Sequence, residues 1–117
     1  MSEKWTQLTK RLLELDKRGS VEWVESDSSD GIQTSLGSFV VLIREIEALN
    51  QYVFVLKKAN GDVFDDFTDD DLTSFGFPNA YQQIKDLYRS VHRKVSGADD
   101  AIDEMLFELD KKDGSLF

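Results

Sequence analysis

The chain has 117 residues, 23 of them acidic and 14 basic, for a net charge of −9. That length holds one domain with a core of its own, and that charge excludes general binding to nucleic-acid phosphates, which needs lysine and arginine in excess. No cysteine is present, so disulfides and thiolate chemistry are excluded.

No apolar run approaches the ~20 residues needed to span a bilayer. The N-terminus is too charged for a secretory signal. A cytoplasmic protein is the expectation.

Residues 3–18 are predicted to form a helix. Trp5, Leu8, Leu12 and Leu15 recur at helical spacing and make one apolar stripe. Ser2 is placed to cap it, because a serine hydroxyl accepts a bond from a free amide of the first turn. Lys17 and Arg18 suit the negative end of the helix dipole, and Gly19 supplies the stop.

Val21 to Glu25 reads as a short strand. Asp27-Ser28-Ser29-Asp30-Gly31 is polar turn chemistry, and Ile32 to Leu36 alternates as a second strand. Gly37-Ser38 suits a two-residue II′ turn with glycine first. That turn sets Leu36 opposite Phe39, Thr34 opposite Val41 and Ile32 opposite Ile43, all on one face.

Phe39 to Ile43 and Tyr52 to Leu56 are rich in β-branched and aromatic residues, which suit a pleated surface. Residues 44–51 between them are expected to be a charged strand end and a turn, with a helical turn as the alternative. Asn60-Gly61 favours a type I′ hairpin turn; a bulged Asn-Gly-Asp loop is the alternative and shifts the register by one. Val63, Phe64 and Phe67 form the return strand. The two inner strands are apolar on both faces, whereas a sheet open to water alternates apolar with polar. Cover on both faces is therefore expected, from helices or from a second copy of the chain.

Thr68 is placed as an N-cap, with Asp69, Asp70 and Asp71 in the first turn that follows. Pro78 opens the next helix, which carries Tyr81, Ile84, Leu87, Tyr88, Val91 and Val95. Ser96-Gly97 breaks it. A last helix begins at Asp99 and Asp100 and bears Ile102, Met105, Leu106 and Leu109. The gap is short, so these two helices are expected to be an antiparallel pair. The fold class is α+β: an N-terminal helix, an antiparallel β-meander of about five strands, and a C-terminal helical pair packed on the sheet, in a single domain over 1–117. The layout resembles that of many small bacterial proteins.

Chemistry is sparse. His92 is the only histidine and sits among Arg89, Arg93 and Lys94, cations that favour its neutral form. The series Asp62, Asp65, Asp66, Asp69, Asp70, Asp71 lacks the alternating ligands, central glycine and closing glutamate of a calcium loop, so no metal site is expected. No phosphate loop, nucleophile elbow or zinc-helix pattern occurs, and no cofactor is implied. Lys85, Arg89 and Arg93 are spaced by four and form a basic ridge on one helix side, with His92 beside it. The ridge could hold an anion such as a nucleotide; the alternative is a solvated face paired with Asp99, Asp100, Asp103 and Glu104. Phe75 and Phe77 flank Gly76 on a connecting segment, and Leu116-Phe117 ends the chain; these four are candidates for contact with a partner.

The expected function is that of a non-enzymatic, acidic interaction protein, homodimeric with C2 symmetry, binding a protein partner of basic character. An inhibitor, immunity-type or adaptor role falls in that class, since an acidic surface can block a nucleic-acid-binding one. The alternative is a binder of a small anionic ligand through the basic ridge. An enzyme ranks last.

Overall fold

A computed structural model describes residues 3–26 and 31–114. The Ser2 cap, the 27–30 part of the polar loop, and Leu116 and Phe117 fall outside the described residues, as does the side chain of Val95.

The order is α1 (Glu3–Lys17), β1 (Val24–Glu25), β2 (Gly31–Leu36), β3 (Phe39–Ile46), β4 (Gln51–Lys58), β5 (Val63–Thr68), α2 (Asp69–Ser74), α3 (Ala80–Ser96) and α4 (Ala98–Asp113). The strands form one antiparallel sheet in sequence order. The fold is α+β, with an N-terminal helix, a five-strand meander and helices after it packed on the sheet.

The β2–β3 register is the one the turn dictates: Leu36 faces Phe39, Thr34 faces Val41 and Ile32 faces Ile43. Gly37 has φ 61° and Ser38 is not in the positive-φ region, the II′ signature. The β4–β5 turn departs from the I′ expectation. Only Gly61 has positive φ there, and the pairing shifts between Leu56 and Lys57. The Asn60 side chain accepts the Asp62 amide at 2.9 Å. That local bond replaces the second left-handed residue of a I′ turn, so the bulged loop wins. Residues 47–49 form a 3₁₀ turn that ends on Asn50 at φ 49°, a conformation asparagine tolerates.

One sheet face carries the core. Ile32, Val41, Ile43, Tyr52, Phe54, Leu56 and Phe67 are buried there with Leu12 and Leu13 of α1, Leu72 of α2, and Ile84, Leu87, Tyr88 and Val91 of α3. The rings of Trp5, Phe67 and Phe54 stack in sequence, with centroids 5.1 and 4.7 Å apart. The Trp5 indole N–H donates to Asp65 at 2.8 Å and that of Trp23 to Asp16 at 3.1 Å. These two bonds tie α1 to the β5 and β1 ends of the sheet. A buried indole needs such a partner.

Of the expected cover on both faces, the chain's own helices supply one. Alternation along β3 and β4 puts Val40, Leu42, Val53 and Val55 on the opposite face from Val41 and Phe54. Among the described residues no helix packs on that opposite face. Leu42 is buried yet lies outside the core cluster.

One expectation fails, the antiparallel pairing of α3 and α4. An αα-hairpin needs a loop of 2–5 residues, and here Gly97 alone separates the helices, at φ 72°. No residue of α4 is buried. Its Ile102, Met105, Leu106 and Leu109 are 43–63% exposed. The molecule measures 63 × 32 × 30 Å; a 16-residue helix, about 24 Å long, accounts for much of the long dimension.

Candidate functional site

Two of the three ridge residues, Arg89 and Arg93, meet His92 at one cleft. Arg89, His92 and Arg93 of α3, with Tyr88, form one wall; Glu45 and Ile46 of β3 with Glu47 and Ala48 of the 3₁₀ turn form the other. The cleft encloses about 920 Å³. The wall opposite the cations is therefore acidic, and an anion entering would meet two carboxylates. Lys85 is not part of the lining; its ammonium lies over the Tyr81 ring, 5.7 Å from the centroid.

Arg93 and His92 have partners within the chain. Arg93 hydrogen-bonds Asp99, a first-turn carboxylate of α4, and that bond pushes the guanidinium pKa further up. His92 stacks parallel on Tyr88 with centroids 5.9 Å apart. Beside the cleft the buried Tyr52 hydroxyl donates to Glu45 at 2.9 Å. Burial first, and the Glu45 carboxylate second, push the Tyr52 phenol well above its usual value. It stays protonated and offers no base.

The contact candidates divide. Phe75 is half exposed, its ring set edgewise to Trp5 with centroids 6.2 Å apart, and its carbonyl accepts the Thr6 hydroxyl at 3.2 Å. Phe77 is buried in the core, and the Lys10 ammonium lies 5.3 Å from its ring centre. Its place in the structure is that of a filler between α2 and α3. Among the described residues, no three acidic or histidine side chains converge as a metal site would require.

One acidic residue has a role that its spacing did not signal. Asp69 is buried, and its Oδ1 accepts the Tyr52 backbone N–H at 2.7 Å. The strand β5 leaves the sheet after Thr68, whose partner is Val53, so the next β4 amide facing that edge lacks a strand carbonyl. Asp69 supplies the acceptor. Its position directly after a capping Thr at a strand end was the only available sign.

The apolar α4 is the other feature that sequence reasoning misplaced. Its stripe was legible, but its exposure was not. No protein-family model, curated protein or solved structure matches the chain. Among the described residues no helix is long and apolar enough to cross a membrane.

Proposed function

We propose that the protein acts by binding rather than by catalysis, as an interaction module that assembles with itself and turns an acidic surface toward a protein partner of basic character. The observation that carries this reading is α4, a helix with Ile102, Met105, Leu106 and Leu109 all exposed beyond a body that has a complete core without them. Contiguous exposed apolar surface of this kind marks interaction sites. The net charge of −9 supports the choice of a basic partner, because complementary charge speeds encounter and rejects acidic competitors.

The anion-binding alternative is less well supported. Arg93 is engaged by Asp99, Lys85 lies over Tyr81, and Glu45 and Glu47 line the same cleft as Arg89.

Light scattering across a concentration series tests the reading. The expected mass is about twice the 13.4 kDa of one chain at tens of micromolar. Ile102→Asp combined with Leu106→Asp should return it to one chain with the far-UV spectrum and melting of the body retained. A wild-type chain that stays single at every concentration overturns the self-assembly.

A further inference from the structure

β5 is the last strand of the sheet, and among the described residues no strand pairs with its outer side. A strand in that position presents amides and carbonyls to which another extended chain can add. Val63, Phe64, Phe67 and Thr68 are strand formers, so four of the six β5 residues favour such pairing.

Alternation along β4 tells which β5 amides point outward. The Tyr52 N–H points toward β5, because it donates to Asp69 just after that strand. Hydrogen-bonding direction alternates along a strand, so Phe54 and Leu56 also face β5, while Val53 and Val55 face β3. Val53 pairs with Thr68 and Val55 with Asp66. These are the pairs without mutual bonds, and the Thr68 and Asp66 N–H groups therefore point away from the sheet. The register shift between Leu56 and Lys57 limits the regular run to Asp65–Thr68. Asp66 and Thr68 are the outward amides of that run.

Each already has an acceptor, and each acceptor is a carboxylate. The Asp66 N–H donates to Asp65 Oδ1 at 2.9 Å, and the Thr68 N–H donates to Asp71 Oδ2 at 2.9 Å. Asp71 is the return arm of the α2 capping box, so one side chain closes both a helix end and a sheet edge. Asp65 is held from behind. Its Oδ2 accepts the Trp5 indole N–H at 2.8 Å, which leaves Oδ1 for the amide. An incoming strand must bring its carbonyl oxygens against two carboxylates and displace both.

The opposite edge is closed by other means. β1 has only two residues, and just beyond it the Ser26 N–H donates to the Gly31 carbonyl at 3.0 Å. The Thr34 hydroxyl donates to the Glu22 carbonyl at 2.7 Å. That bond keeps the chain beside β2 before β1 begins.

We infer that Asp65 and Asp71 lock the β5 edge against strand addition, with Trp5 as the positioning residue for the first of them. The partner they exclude is the β5 of a second copy, added antiparallel about a two-fold axis. The sheet is thereby withheld from association.

The test uses chains carrying Ile102→Asp and Leu106→Asp, so that no association runs through the α4 stripe and the result stands apart from the self-assembly proposed above. In that background the Asp66 and Thr68 amides should exchange several-fold more slowly than free amides of the same sequence. Adding Asp65→Ala and Asp71→Ala should bring both to the free rate in dilute solution. At higher concentration these chains should associate, with protection returning over 64–68. Chains that stay single at every concentration while both amides exchange freely overturn the inference. Trp5→Phe covers the case of a variant that folds poorly, since it keeps an aromatic ring against the core and leaves both carboxylates in place. It should speed exchange at Asp66 several-fold and leave Thr68 unchanged. No change at Asp66, or an equal change at both amides, overturns it.

Discussion

Replacing Asp69 by alanine and by asparagine should separate two opposed effects of one buried carboxylate. Its oxygen is the acceptor for the Tyr52 N–H at 2.7 Å. Asp69→Ala leaves that amide buried without an acceptor, at a cost of about 1–3 kcal/mol. It also removes a first-turn negative charge from α2, worth about 0.3–1 kcal/mol. Against these stands the burial of the charge. Burial raises the Asp69 pKa above its usual 3.8; the Tyr52 bond opposes the rise, and Asp70 adds to it. Asp69→Asn keeps an acceptor oxygen and removes the buried charge, so it should lie within about 1 kcal/mol of wild type at pH 7.

The sign with pH follows from linkage. Above 3.8 the folded protein holds more proton on Asp69 than the unfolded chain does, so stability from this group falls as pH rises through the folded value. It is fully present below 3.8. The stability of Asp69→Asn relative to wild type should therefore increase from acid toward neutral pH. Urea unfolding followed by tryptophan fluorescence at several pH values measures all three proteins. An alanine variant as stable as wild type, or an asparagine variant as damaged as alanine, would refute the account.

Leu72→Ala should cost about 2–5 kcal/mol because it opens a cavity under α2, whereas Leu109→Ala should stay within about 0.5 kcal/mol in dilute solution; thermal melts of both give the contrast. Thr68→Ala should cost about 0.5–2 kcal/mol, because the Thr68 hydroxyl accepts the Asp71 amide while the Asp71 carboxylate accepts the Thr68 amide; chemical unfolding checks it. In hydrogen exchange, α4 amides should be unprotected in dilute solution and gain protection with concentration, while α3 amides stay protected throughout.

What was legible in the sequence was whatever a local rule determines. Gly37-Ser38 set the β2–β3 register because a two-residue turn with one positive φ leaves no freedom. Thr68 announced its cap for the same reason. Asn60-Gly61 misled because Asn60 can either adopt positive φ or bond the amide two residues on, and the second won. The basic ridge was legible as a ridge, but its spacing could not show that Glu45 and Glu47 line the same cleft, since they come from β3 and the 3₁₀ turn after it, some 40 positions earlier. The role of Asp69 depended on where β5 leaves the sheet, a long-range event. For α4, the apolar period was plain, and the error lay in supposing that a short link returns the helix on its neighbour.

An uncovered α4 sits close to the limit of helical stability. Isolated helices shorter than about 12–15 residues are marginal in water, and most helical stability in proteins comes from burying an apolar face. This helix has 16 residues and buries none. Its supports are the Arg93–Asp99 bond, the weak Lys111–Glu108 pair at 3.5 Å, and Lys111 over Phe107 at 4.6 Å. Exposed pairs of this kind contribute only tenths of a kcal/mol. Asp99 and Asp100 at one end, with Lys111 and Lys112 at the other, add a similar amount through the dipole. The apolar i,i+3 and i,i+4 pairs of the stripe add only tenths of a kcal/mol each in water. Covered by a second copy, the same four side chains would each gain on the order of 1 kcal/mol from the area removed, enough to hold the helix and the contact together. The order of α4 and the association of two chains then become one equilibrium, and a substitution that weakens either should weaken both.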